Sequence, residues 1–248
     1  MTTSMTPRVL AAGLLAASLI AASGCVRVEL PAPEYTSDTD TIALGDATEL
    51  VATIDMGAGQ LRVSGGASGV MDADFEFSDE RWRPQVSYEV SGGEGRLAVR
   101  TPSGPTFGLN LTGQMRYAWD IALPDDMPLD LSINMGAGES RLDLGTLDLR
   151  RLQVNMGAGD STIDLSGGEP THDMVADING GAGAFTLRVP ADVGVRIVGH
   201  QDGLGSYQAD GFIQDGGALV NRAYDDADVR FEITLRRGIG DVTVETVE

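Results

Sequence analysis

From Leu129 onward the apolar residues fall on every second position. Leu129, Leu131, Ile133 and Met135 alternate with Asp130, Ser132 and Asn134. Alternation of this kind predicts a strand with one buried face. The pattern breaks at Gly136-Ala137-Gly138, resumes at Leu142 and Leu144, and then repeats. INMGAG begins at 133, VNMGAG at 154 and INGGAG at 178, so the phrase returns at a nearly constant step. IDMGAG stands earlier, at 54, and fainter copies follow as Gly203-Leu204-Gly205 and Gly238-Ile239-Gly240. Self-similarity at this period predicts a stacked-repeat architecture, and no stretch of it carries a sustained helical period.

Each copy reads as strand, glycine corner, strand. The corners use Gly57 and Gly59, Gly136 and Gly138, Gly157 and Gly159, and Gly181 and Gly183. Glycine reaches φ > 0 without steric cost, which suits a sharp turn or bulge at these places. Stacking puts Gly136, Gly157 and Gly181 in one column. It also lines up Asn134, Asn155 and Asn179, with Asp55 as a fourth candidate, and stacked amides can hydrogen-bond up the pile as a ladder. Met135 and Met156 stack beside them as adaptable core fillers.

The step from Gly57 to Gly136 is several times the step between later corners, too long for one rung. Within it Val70–Phe77, Gln85–Ser91, Arg96–Thr101 and Gln114–Leu123 read as strands, with a hairpin loop at Gly92-Gly93-Glu94-Gly95. The expectation is an antiparallel β unit, inserted after the first rung or standing as an N-terminal subdomain. It holds Trp82, Tyr88, Tyr117 and Trp119. These aromatics read as cover for a small sheet, with Trp82 and Trp119 as a sugar-stacking platform in the second reading.

The segment from Met1 to Gly24 reads as lying outside the fold. Arg8 precedes the apolar run VLAAGLLAASLIAAS, which has the length and composition of a secretory signal rather than a membrane span. The run ends in Ala22-Ser23-Gly24-Cys25, which resembles a bacterial lipoprotein signal in which Cys25 becomes the lipid-bearing N-terminus. Cys25 is the sole cysteine, so no intramolecular disulfide can form. Residues 25–48, rich in Pro, Thr and Asp, read as a membrane tether. The expected organisation is therefore 1–24 signal, 25–48 tether, 49–125 N-terminal β unit and 126–248 repeat domain.

Charge narrows the partners. The chain has 37 acidic residues against 17 basic ones, a formal net charge of −20 at pH 7, and every basic residue is Arg. Such a balance opposes nonspecific binding to nucleic acid or anionic lipid. Aromatics make up 5% of the chain, so the core must be aliphatic. The two histidines, His172 in the turn Glu169-Pro170-Thr171-His172-Asp173 and His200 before Gln201-Asp202, read as hydrogen-bonding surface residues rather than a metal or catalytic pair. GAGDSTIDL at 157–165 and GGAGAFTLR at 180–188 lack the Asp of calcium-binding glycine-rich repeats. The acidic turns Asp125-Asp126 and Asp225-Asp226-Ala227-Asp228 read as solvated, with weak calcium binding as the second reading. No cofactor, metal site or catalytic residue is expected.

Taken together, ELVATIDMGAGQLRVSGG, VSYEVSGGEGRLAVR, LDLSINMGAGESRLDLGTLDLRRLQVNMGAGDSTIDLSG and DINGGAGAFTLRVPADVGVRI resemble the bacterial toast-rack family. Its relatives include the putative-adhesin and cell-wall-active-antibiotic-response domains. The resemblance spans roughly Asp46 to Val247. It implies an all-β fold: a single-stranded, right-handed β-helix-like stack of glycine-cornered rungs, each as long as one period of the GAG phrase. It carries over no catalytic residues. The expected function is a non-enzymatic structural, adhesion or binding module. It would be held at the cell envelope by lipid on Cys25, with an envelope protein or glycan as partner and no nucleic acid. An envelope-stress sensor acting through a membrane partner is the alternative, and a polysaccharide-active enzyme a remote one. Val26 follows Cys25, which favours the outer membrane if the host has two.

Overall fold

Alternating residues can bury one face only against a neighbour, and here the neighbours are other rungs. The computed structural model describes residues 35–103, 116–199, 203–236 and 238–248. Among them the first strands are β1 (Thr36–Ile42), β2 (Glu49–Ser64), β3 (Met71–Phe77), β4 (Gln85–Ser91), β5 (Glu94–Arg100) and β6 (Tyr117–Ala122). Next come β7 (Leu129–Asp143), β8 (Leu149–Ala158), β9 (Ser161–Asp164), β10 (Met174–Asn179), β11 (Phe185–Pro190) and β12 (Gly194–Val198). The last are β13 (Tyr207–Asp210), β14 (Phe212–Asp215), β15 (Ala218–Asn221), β16 (Arg230–Arg236) and β17 (Val242–Val247).

Two ladders carry the fold. The first runs β4–β5–β2–β7–β8–β10–β16–β12–β15–β14. It is parallel from β5 to β12, with antiparallel strands at both ends. The second runs β1–β3–β6–β2–β7–β9–β11–β17–β13. It is antiparallel through β1, β3 and β6 and parallel beyond. β2 and β7 pass straight through their glycine corners and belong to both ladders. The rungs β8–β9, β10–β11, β12–β13 and β16–β17 are split by the corner into two strands.

The core lies between the ladders. Ile54, Ile133, Val154, Ile178 and Leu235 face it from the first ladder, and Val63, Leu142, Ile163, Leu187 and Val244 from the second. All are buried in one continuous cluster. At roughly 1.5–3 kcal/mol for each fully buried aliphatic side chain, this layer is the main favourable term in folding.

Three expectations need correction. Residues 36–42, read as tether, form β1 and pair with β3 from Thr36↔Phe77 to Ile42↔Met71. Their polar alternation suits an edge strand whose outer side meets water. The segment between β2 and β7 is not a unit apart. β5 and β6 lie parallel to the two halves of β2 and make the first rung, while β3 and β4 cap it. The boundary expected at 125/126 separates strands that pair from Leu50↔Leu129 to Ser64↔Asp143, and Pro33–Glu248 is one compact unit.

Chain order and spatial order also part after β11. The rung β12–β13 follows in sequence, yet the C-terminal rung β16–β17 stacks on β10–β11, and β12–β13 stacks on that. The corner bridges agree, as Ile239 pairs with both Ala182 and Leu204. A length argument accounts for this. β16 and β17 have 7 and 6 residues against 5 and 4 in β12 and β13, so the longer rung gains more by having neighbours on both sides.

Candidate functional site

Three features built by the repeats are placed to act: the corner, the amide ladder outside the first ladder, and a groove outside the second. The corner glycines divide into two kinds. Gly59, Gly138, Gly159 and Gly183 have φ of +139, +124, +127 and +144°, so they need glycine for conformation as well as for space. Gly136, Gly157 and Gly181 have no positive φ; they need glycine for space. A Cβ on each would lie 2.3, 1.8 or 1.6 Å from the carbonyl oxygen of Gly57, Gly136 or Gly157 in the rung below. Gly57, in the first of these rungs, donates its N–H to Thr101 Oγ1 at 3.0 Å. The backbone stays bonded through the turn, with the Ala182 N–H donating to Gly157 O at 2.8 Å and the Gly159 N–H to Ala182 O at 2.7 Å.

Just before the corner, the amides form a directed chain. Asn134 Nδ2 donates to Asp55 Oδ1, Asn155 Nδ2 to Asn134 Oδ1, and Asn179 Nδ2 to Asn155 Oδ1, each at 2.7 Å. The ends are chemically matched to the direction. Asp55 only accepts, and it closes the acceptor end with Arg100 Nε 3.1 Å from Oδ2. Arg236 only donates, and its Nη1 reaches Asn179 Oδ1 at 3.2 Å and Asp177 Oδ1 at 3.0 Å. Arg236 stands at the Asn position of the faint copy that ends in Gly238-Ile239-Gly240 and pairs with Asn179, whereas Arg100 lies outside the GAG-bearing copies.

Inside the corner, side-chain volumes trade off. Rungs with Met135 or Met156 at the strand end carry Ser140 or Ser161 just past the corner. The Ser140 hydroxyl donates to Ser161 Oγ at 2.9 Å and lies 3.7 Å from Met156 Sδ. The next rung has Gly180 in place of Met and Phe185 in place of Ser, and both line one small gap with Met156 and Ser161.

The outer side of the second ladder forms an open groove of about 770 Å³ across β3, β6, β2, β7, β9 and β11. Small side chains floor it: Ala118, Thr162, Ala184 and Thr186. Charged and polar side chains on adjacent strands stand over them in pairs. Arg62 Nη1 is 3.8 Å from Asp120 Oδ2, Arg116 pairs with Glu76, and Gln60 Nε2 donates to Glu139 Oε2 at 3.4 Å. Asp160 Oδ1 accepts the Ala184 N–H at 2.9 Å, and Asp74 Oδ1 accepts from Thr39 Oγ1 at 2.8 Å. Burial pushes the Asp120 carboxyl up from the ordinary value, Arg62 pulls it down, and Asp74 and Asp143 add to the upward push. Each carboxylate is tied to a donor, which suits fixed recognition of a polar ligand better than proton transfer. Reading the sequence missed this groove. Gln60 and Glu139 are far apart in the chain, and only their shared place after a GAG corner relates them.

Trp119 is 1% exposed, packed edge-on to Phe75 and Tyr117 at 5.8 and 5.6 Å, so it is core and not a sugar platform. Trp82 packs on Tyr117 at 6.4 Å. His172 Nδ1 lies 3.2 Å from Asp148 Oδ1 in an exposed turn, and Asp125 Oδ1 accepts from Thr146 Oγ1 at 2.7 Å. Among the described residues, no group of three or more His, Cys, Asp or Glu could hold a metal ion. Cys25 and His200 lie outside the described residues. No helix among the described residues is long and apolar enough to cross a membrane.

Of solved structures, a putative cell adhesion protein from Clostridium sporogenes ATCC 15579 is similar in fold. It is 24% identical with a TM-score of 0.73, over 86% of this chain and 100% of that one. A putative adhesin from Bacteroides fragilis NCTC 9343 aligns at 11% identity and a TM-score of 0.30, over 88% of this chain and 99% of that one. No match is found among curated proteins. Residues 31–188 match the family profile described as the N-terminal domain of toast_rack, DUF2154. Ladder register, glycine corners and profile coincide over these residues, and the chain belongs to the toast-rack family.

Proposed function

We propose that this protein is a non-enzymatic binding module of the bacterial envelope, carried outside the cytoplasm by lipid on Cys25. One observation carries the reading: the groove of about 770 Å³ presents cross-strand charge pairs on strands that are hydrogen-bonded on both edges. Such a surface is pre-organised, so little ordering is needed when an envelope protein or glycan docks. The name of the Clostridium sporogenes structure, a putative cell adhesion protein, agrees with this use. We further infer that successive rungs wind right-handed as in a β-helix, because parallel crossovers almost always do. The outer membrane is favoured if the host has two membranes.

In vivo crosslinking tests the reading. The wild-type chain should fractionate with membranes and crosslink to one defined envelope component. Cys25→Ser should release the chain or leave it unprocessed. Arg62→Ala with Arg141→Ala, both lining the groove, should abolish the crosslink while keeping membrane attachment. A mature chain with a free Cys25 thiol defeats the anchor, and an unchanged crosslink in the arginine variant defeats the groove. The antibiotic-response relatives suggest an envelope-stress sensor as the second reading. It requires in addition that deleting the protein changes transcription under cell-wall stress.

A further inference from the structure

The rung that ends the chain is not the rung that ends the stack. β16–β17 is held on both sides in both ladders, between β10–β11 and β12–β13. We propose that this C-terminal rung is an inserted strap, and that the chain has a second stacking in which β12–β13 lies directly on β10–β11.

The spacing of corners permits it. The step from Gly181 to Gly203 falls between the step from Gly136 to Gly157 and that from Gly157 to Gly181, and those rungs stack in chain order. The connections favour it. Residues 144–148 and 165–173 each climb one rung, whereas 191–193, the shortest of the three, climbs two. A short link closes more readily over the smaller climb.

The register also supports it. Because both rungs pair with β16–β17, removing that strap would bring Val195 opposite Met174, Ile197 opposite Ala176, Tyr207 opposite Phe185 and Ala209 opposite Leu187. Every inward position stays inward. Asp210 now faces Glu245, a like-charged neighbour, and would instead face Arg188. Like charges directly opposite are unfavourable and opposite charges favourable.

The inserted arrangement holds contacts that the second lacks. Arg188 Nε donates to Glu245 Oε1 at 2.7 Å, and Arg196 Nη1 lies 3.3 Å from Glu232 Oε2. Phe231, Ile233, Leu235, Val242 and Val244 are buried only there. The inserted state therefore prevails once the whole chain is present. β12–β13 precedes the strap in the chain and can close on β10–β11 first, so the strap must then displace it.

Disulfide trapping in the full chain separates the two stackings. Ala182, Leu204 and Ile239 are exposed at the corners, with Leu204 and Ile239 at 68% and 62%. With Cys25→Ser to remove the native thiol, two pairs are made: Ala182→Cys with Ile239→Cys, and Ala182→Cys with Leu204→Cys. In the inserted state the first pair sits on adjacent strands and should link at equilibrium. The second is two strand spacings apart, roughly 9.5 Å, beyond the ~7 Å that a disulfide spans. On refolding, an early pulse of oxidant should link 182 to 204 in higher yield than in the chain held in denaturant, and later pulses progressively less. Molecules trapped by that link should be cut by trypsin at Arg230 and Arg236, sites the native chain protects. A 182–204 yield at or below the denatured control at every delay overturns the proposal. So does a trapped chain whose C-terminal rung stays protected.

Discussion

At the scale of single residues, the corner makes two different demands on glycine and one on the residue between. Gly159 is needed for its φ of +127°, and Gly157 for its approach to Gly136 O. Alanine at 157 should cost at least about 2 kcal/mol, because the clash is with backbone bonded on both sides and the rung cannot move aside. Alanine at 159 should cost about as much, through left-handed strain added to a Cβ 1.8 Å from Gly138 O. Ala158 points outward, and the equivalent residues of other rungs are Ile239 and Leu204. Ala158→Ile should therefore change stability by less than about 0.5 kcal/mol. Urea titrations of the three variants decide this, and a tolerated Gly157→Ala would mean that the rungs can part at the corner.

At the scale of the element, two neighbouring rungs fill the same corner space with different side-chain sets. Met156 with Ser161 is one set, and Gly180 with Phe185 the other. Phe185→Ser should leave a hole and cost about 3–5 kcal/mol, the range for losing a buried aromatic. Gly180→Met should overpack the corner, at about 1–3 kcal/mol. Together the two changes rewrite this rung in the manner of its neighbour, and the pair should recover at least half of the summed loss. Strict additivity in the cycle would show that the two positions do not share their space. Strand alternation, corner phrase and amide column were legible in the sequence because each repeats at a fixed offset. β5 and β6 as halves of one rung were not, because no GAG phrase stands between them in the sequence. The groove was hidden for a related reason: its charges come from different rungs, and the register that joins Gln60 to Glu139 exists only after stacking. The strap escaped too, since the periodic pattern states that rungs stack but not in which order.

At the scale of the whole molecule, a net charge of −20 acts on a fold whose carboxylates are not alike. Asp72 is held below its ordinary value of 3.8 by the Ser68 N–H and hydroxyl, and Asp241 by the Ser206 hydroxyl and N–H. Asp79 is lowered to about 2 by hydrogen bonds from Arg81. For these three the folded value lies below the unfolded one. Their stabilisation is present above pH 4 and is lost as pH falls toward 2. Asp120 has the opposite sign. Burial raises it, so the charged form is disfavoured in the fold, and its penalty grows as pH rises through the carboxylate range. Self-repulsion among excess carboxylates adds to the penalty at neutral pH and is screened by salt. The melting temperature should therefore rise as pH falls from 7 to about 5, then drop steeply below about 4. Asp120→Asn should raise the melting temperature at pH 7 and lose that advantage at pH 3. Added salt should do the same at pH 7 without altering the acid limb's midpoint. Calorimetry across this range checks all three, and a flat curve between pH 7 and 5 would mean that the arginine pairs along the ladders already neutralise the field.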